Sequence, residues 1–285
     1  MKKINDMLAN ANEGFTVEKT TVNKNGVDVA SVAFCFENDK TICSVWYPED
    51  SFWDLPDEAK VEVLKDAAAY IKKDAPDTDE IKDILCSENI LDHVYPSLIS
   101  EDNIEACRKA GTVVVQDKDS GLGIIFKIRL KNATVTVNKS LLPAMKIEES
   151  ELRNIAFKNA EEEELFVKSL TNCMSGGLLT VENDPILVVS NMNKRYGSYA
   201  IFTEKVKREV AKYFGRNDYI VIPSSVHEIL VVNVVNSEAV NIGEDEYSQL
   251  IQQVNADTLE DYEVLGTAPY FMRDGKLVKA LSKAA

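Results

Sequence analysis

Two residues, Asn25-Gly26, constrain this chain more than any others. Asparagine and glycine tolerate the positive φ angles of a two-residue hairpin turn. The runs on either side, Phe15 to Val22 and Val27 to Phe36, alternate apolar and polar residues with the period of a strand. A further turn at Asn38-Asp39 leads into Thr41 to Tyr47, so the N-terminal region reads as a three-stranded antiparallel meander. Helices flank it. Ile4, Met7, Leu8 and Ala11 recur at helical spacing before Gly14, and Asp57 to Lys73 places Val61, Leu64, Ala67, Ala68 and Ile71 on one stripe between Pro56 and Pro76.

Similar punctuation continues along the chain. Ser100 reads as the cap of a helix that stops at Gly111, and Thr112 to Gln116, Leu122 to Leu130 and Ala133 to Val137 read as strands. Glu149 to Glu164 reads as a helix whose acidic end, Glu161 to Glu164, opposes the helix dipole and is expected to be a solvated linker. After Ser175-Gly176-Gly177, strands are expected at Leu178 to Val181, Ile186 to Ser190, Tyr219 to Ile222 and Val226 to Val235. Helices are expected at Glu204 to Phe214, capped by Thr203 and ended by Gly215, and at Glu244 to Val254. A hairpin follows at Tyr270 to Leu277 about Asp274-Gly275. The fold class is α+β: antiparallel sheets flanked by helices, in two packed α/β subdomains, residues 1–175 and 176–285. A chain of 285 residues, 45% hydrophobic, can fill two such cores.

Charge narrows the function classes. The formal net charge of -15 repels a polyanionic backbone and an anionic membrane surface, which argues against nucleic acid and membrane as partners. Five cysteines, Cys35, Cys43, Cys86, Cys107 and Cys173, are widely spaced with no pair at zinc or redox spacing, so reduced thiols are expected. Cys35 and Cys43 face each other across the expected hairpin, but a reducing compartment disfavours a disulfide there. With neither a signal-like apolar stretch near Met1 nor a run long enough to span a bilayer, the expectation is a cytoplasmic protein.

The segment Pro223-Ser-Ser-Val-His-Glu228 invites a nucleophile reading, with Ser225 activated by His227. Strand alternation argues against it: Ser225 and His227 share a face while Glu228 points away, so Glu228 cannot orient the imidazole. The alternative is a turn in which the hydroxyls bond nearby backbone and His227 packs against a backbone carbonyl or lines a shallow pocket. No metal is expected, because Val231 stands where a second histidine of a helical metal pair would, and His93 is remote. No cofactor is expected.

Residues 194–216 hold seven basic residues against Glu204 and Glu209. On one reading they form a solvated helix face. The functional one is a small-anion or nucleotide site formed by Asn191, Asn193, Lys194, Arg195 and Tyr196 with the free amides at the helix start near Thr203. A second group, Trp46, Tyr47, Phe52 and Trp53, reads as a half-buried lid or as a protein-binding loop.

The stretches Asn191-Met-Asn-Lys-Arg-Tyr-Gly-Ser-Tyr-Ala200 and Tyr219-Ile-Val-Ile-Pro-Ser-Ser-Val-His-Glu228 resemble a bacterial family without assigned function, domain of unknown function 5688, frequent in gut Clostridia. The resemblance implies a strand, an Asn-containing loop ending in glycine, a helix, a strand ending in Pro-Ser-Ser, and His-Glu opening the next strand. It departs from the family at Ser198, where alanine is common, and in the tail Leu265 to Tyr270. It supplies no reaction or ligand. The residues then favour an intracellular interaction or regulatory protein with a protein partner, ahead of a small-anion or nucleotide-binding module and of a hydrolase using Ser225 and His227.

Overall fold

The computed structural model describes residues 1–36, 39–74, 84, 89–130, 134–233 and 244–279. Asn38, Pro76, Cys86, Ala133, the Cys43 side chain and the Val234-Val235 end of an expected strand lie outside the described residues. The architecture is α+β with open antiparallel sheets. Contacts divide the chain into one unit of Met1–Ser87 with Leu130–Thr134 and another of Glu88–Arg129 with Val135–Ala285.

In the first unit, α1 (Lys2–Asn10) is followed by β1 (Phe15–Lys24), β2 (Val27–Phe36), β3 (Asp39–Trp46) and α2 (Asp57–Asp74), and the sheet order is β1-β2-β3. β1 and β2 pair without interruption from Phe15↔Phe36 to Lys24↔Val27. Asn25 and Gly26 have φ angles of 50° and 94°, and the Gly26 amide donates to Asn23 Oδ1 at 3.1 Å, so the turn is made by its own residues. Alternation puts Phe15, Val17, Val32 and Phe34 in one core with Ile4 and Leu8 of α1 and Leu64, Ala67 and Ala68 of α2. Removing a side chain such as Phe34 or Leu64 from water stabilises the unit by about 2 kcal/mol each. Asn5 of α1 accepts from Val17 N and donates to Val17 O, both at 2.9 Å, and so satisfies one residue of the β1 edge.

The second unit contains two sheets. β4 (Val94–Ile99), β6 (Gly123–Arg129) and β5 (Val114–Gln116) run in the order β4-β6-β5, and β7 (Thr134–Thr136) also pairs with β6. The helices α3 (Ile104–Lys109), α4 (Leu142–Met145) and α5 (Glu149–Glu162) accompany this sheet. The other sheet has six strands in the order β13-β12-β10-β11-β9-β8. They are β8 (Leu165–Ser169), β9 (Ile186–Asn191), β10 (Tyr219–Ile222), β11 (Ile229–Val232), β12 (Tyr270–Arg273) and β13 (Lys276–Lys279). Its helices are α6 (Leu170–Met174), α7 (Glu204–Phe214) and α8 (Glu244–Thr258). α7 is capped by Thr203 Oγ1, which accepts from Val206 N, and closed by Gly215 at φ 68°, as its sequence dictates.

The expected boundary at residue 175 does not coincide with the division by contacts, because β8 pairs with β9 from Leu165↔Asn191 to Ser169↔Leu187 across the double glycine. Four local readings also change. Leu178 to Val181 is not a strand: Gly176 and Gly177, at φ 62° and 88°, fold it into a turn that no strand pairs with among the described residues. β11 starts at Ile229 rather than Val226, because the preceding residues form a tight turn. A 3-10 turn at Glu101–Asn103 separates Ser100 from α3, and the Ser100 side chain makes no capping bond. α5 ends at Glu162, with Glu163 extended.

Candidate functional site

Because β11 lies between β10 and β9, the turn leading from β10 into β11 comes beside the loop leaving β9. Those are the two segments that the sequence singles out. His227 sits two residues before Ile229, which is paired with Val189, and so arrives opposite Ser190 and Asn191. Its carbonyl accepts from Ser190 Oγ at 2.7 Å and from Gly197 N at 3.0 Å. Its ring Nδ1 accepts from Tyr196 N at 3.0 Å. Val226 O accepts from Ser198 Oγ at 2.8 Å and more weakly from Ser198 N. Two loops distant in sequence are thus stitched together through main-chain atoms.

Inside the first loop, Asn191 reproduces a strand-like pair with its side chain: Oδ1 accepts from Arg195 N at 3.2 Å and Nδ2 donates to Arg195 O at 2.9 Å. Lys194 and Tyr196 take φ angles of 50° and 54°, conformations disfavoured for residues with a Cβ. Gly197 is required for a different reason. A Cβ there would lie 2.3 Å from Ser190 Oγ and 2.4 Å from Asn191 N, so only glycine lets the loop return this close to β9.

The second loop is closed by Ser225. Its amide donates to Glu228 O at 3.0 Å, while its hydroxyl accepts from the amides of His227 at 3.0 Å and Glu228 at 3.3 Å. This is the hydroxyl-bonded turn expected at Pro223-Ser-Ser225. The imidazole faces elsewhere. Since Nδ1 receives an N–H, the neutral ring carries its proton on Nε2, which lies 3.2 Å from Glu263 Oε1. Ser225 Oγ and the ring are therefore not joined, both ring nitrogens are engaged, and the carboxylate on His227 is Glu263 rather than Glu228.

A half-buried charged node stands nearby in the same unit. Arg129 Nη1 reaches Glu163 Oε2 at 2.7 Å, Arg129 Nη2 donates to Tyr199 OH at 2.8 Å, and Tyr199 OH donates to Glu163 Oε1. The guanidinium lies 3.9 Å from the centre of the Tyr95 ring. Burial pushes the Glu163 carboxyl up, and Arg129 opposes that shift. The ammonium of Lys127, a residue only 6% exposed, lies over the Tyr196 ring at 4.3 Å and donates to Thr136 Oγ1.

The acidic run at the end of α5 is consequently more than a solvated linker. Glu163 completes the node, and Glu161 accepts from the amides of Glu204 at 2.5 Å and Lys205 at 3.2 Å. The start of α7, where the alternative reading put an external anion, already has a carboxylate of the chain itself on two of its amides. In the loop of that alternative site, the amides of Lys194, Arg195, Tyr196 and Gly197 bond within the protein. A cleft of about 530 Å³ flanks α7, but Lys207 and Arg208 are offset there by Glu204, Asp218 and Asp274. Among the predicted site residues, Asn191 and Tyr196 hold the loop, whereas Asn193, Lys194 and Arg195 are exposed on it.

In the other unit, Trp46 and Trp53 each pack edge-on against buried Phe52 at 5.2 Å between ring centres, and Lys19 lies over Trp53. They are half-buried parts of that core. Among the described residues, the two most exposed large apolar side chains are Met174, at the end of α6, and Leu178, at 82% and 88%; Leu179 and Val181 follow them in the chain, and Met192 on the loop after β9 is also exposed.

The missed residues differ in how visible they were. Lys127 interrupts the apolar run Gly123-Ile-Ile-Phe-Lys-Ile128, an anomaly that marks a buried cation. Glu263, in Asp261-Tyr-Glu263, carries no such mark. No curated protein and no solved structure matches the chain. The model of a family of unknown function, DUF5688, matches residues 1–273, and the chain belongs to that family.

Proposed function

We propose that the protein is a cytoplasmic protein-interaction module that docks a partner through the segment Met174 to Val181, together with Met192, Asn193, Lys194 and Arg195. The observation that carries this reading is the exposure of Met174 and Leu178, at 82% and 88%, on a segment that is held in place rather than loose. Gly177 N donates to Asn172 O at 2.8 Å, Leu179 N to Ser175 Oγ at 3.0 Å, and Asn172 Nδ2 back to Leu179 O at 3.0 Å. An ordered turn presenting several large apolar side chains to water favours burial against a partner, at about 2 kcal/mol for each side chain fully covered.

Charge supports one kind of occupant. Lys194 and Arg195 are exposed beside Met192 on the loop after β9, and Lys194 is the first of the charges acting on Cys173, ahead of Glu228, Lys168 and Asp184, so the cationic border of the apolar segment lies on that loop. An apolar groove with an acidic rim on a different protein complements that arrangement. A second copy would bring the same cations against each other, and the net charge of -15 opposes an anionic lipid surface.

A photo-crosslinking amino acid at position 178, compared in cells with one at Tyr70 in the other unit, tests the reading. The expected result is a discrete adduct from position 178 that Met174→Asp with Leu179→Asp reduces at least tenfold. An adduct of two copies of this chain, binding to phosphatidylserine vesicles, or labelling no different from that at Tyr70 would each overturn it.

A further inference from the structure

We infer that His227 is a proton-operated latch on the loop after β9. The bond from Tyr196 N to Nδ1, at 3.0 Å, exists only while Nδ1 has a lone pair to offer. A ring protonated on both nitrogens would set Nδ1–H against the Tyr196 N–H, two donors facing each other. Protonation of His227 and closure of this bond are therefore mutually exclusive.

Several charged and titratable groups bear on the exchange. Glu263, on the 3-10 turn Asp261–Glu263, meets Nε2 at 3.2 Å and favours the charged ring. Tyr196 lies 5.1 Å away, ring centre to ring centre, with the β6 residue Lys127 over it, and this cation opposes a second positive charge. Arg195 precedes Tyr196, Glu228 follows His227, and Asp261 shares the turn of Glu263. The latch thus has a carboxylate ready to receive the imidazolium and an amide bond that must be given up for it. Imidazole is the side chain that ordinarily changes charge between about pH 5 and pH 8. Direction follows from the bond: closed with the neutral ring, open as pH falls and the ring takes its proton.

What opens is limited by the other bonds. Ser190 Oγ and Gly197 N still hold His227 O, and the Asn191 side chain still holds Arg195. The freedom gained lies between Arg195 and Gly197, at Tyr196, whose φ of 54° has little to sustain it without the bond. The latch is independent of any docking partner.

Nuclear magnetic resonance on the ¹⁵N-labelled full chain tests it, with His93 as an internal control. At pH 8 the His227 ring should be the Nε2–H tautomer. On acidification the Tyr196 amide resonance should shift along the same titration curve as the ring, and its solvent exchange, corrected for intrinsic pH dependence, should accelerate at least tenfold. His227→Asn keeps an acceptor oxygen near the Nδ1 position without titrating, so Tyr196 should stay protected across that range. His227→Ala should leave it unprotected throughout, with β9 and β11 amides reporting that the sheet persists. The inference is overturned if Tyr196 protection is unchanged while the ring titrates, if the ring does not titrate between pH 5 and pH 8, or if the Asn variant responds as the wild type does.

Discussion

The β1–β2 hairpin and the loop pair around His227 both turn the chain through positive φ angles, and they support those angles differently. At the hairpin, the positive values fall on Asn25 and Gly26, the residue types that tolerate them, and the supporting side chain, Asn23, is three residues from Gly26. In the loop after β9 they fall on Lys194 and Tyr196, which do not tolerate them well. There the conformation is upheld by His227, whose ring bonds Tyr196 from 31 residues away, and by Asn191 within the loop. A turn built from suitable residues depends on its own sequence. A turn imposed on unsuitable residues depends on its neighbours, and its loss should be felt across both loops.

The largest effect is expected at Gly197. Its φ of -92° is open to any residue, so glycine is needed only for space. In Gly197→Ala the new methyl carbon meets Ser190 Oγ, which can rotate, and Asn191 N, a strand backbone atom that cannot. Overpacking of this kind costs about 3 kcal/mol, measurable by urea unfolding followed by far-UV circular dichroism. A loss below about 1 kcal/mol would mean that the loop can withdraw from β9 without harm, and that the stitching is weaker than its bonds imply.

Ser225→Ala comes next. It removes the acceptor of two amides, those of His227 and Glu228, in a residue only 5% exposed, and should cost about 2 kcal/mol. Ser224→Ala should cost less, since the bond seen for that residue is from its backbone amide to Ile222 O, which alanine keeps. Comparing the two by thermal unfolding separates a serine that builds the turn from one that only occupies it. Equal losses would contradict the assignment.

How much of this was legible depends on the sequence distance of each support. The hairpin, the Thr203 cap and the Gly215 stop were legible because residue type alone decides them. Most strands and helices followed from periodicity, and where it misled, at Leu178 to Val181, an apolar run had no strand to pair with among the described residues. In the candidate site, the Ser225 turn was legible, but strand alternation does not apply to Pro223 to Glu228, which forms a turn, and the expected shared face of Ser225 and His227 is not formed. The partner of His227 was not legible, because Glu263 enters only through the packing of a segment 36 residues further on. Glu161 escaped for a related reason: its carboxylate serves the start of α7, 43 residues away from Glu204, while its own neighbourhood looked like four repelling charges. Anion-site reasoning from free amides fails wherever the chain supplies its own anion.

The smallest effect completes the contrast. In Gly26→Ala the turn keeps its bond to Asn23, made by the backbone amide of residue 26, and loses only ease at a φ of 94°. That conformational penalty is about 1 kcal/mol. Both tryptophans, Trp46 and Trp53, belong to the unit that contains the hairpin, and Trp46 pairs with Val32 of β2, so tryptophan fluorescence reads its unfolding selectively. A modest shift in midpoint with an unchanged slope is the expected outcome, since a slope change would signal a different extent of unfolding. A loss as large as that of Gly197→Ala would show that the hairpin, too, is held from outside its own ten-residue ladder, and the distinction between a self-supporting turn and an imposed one would fall.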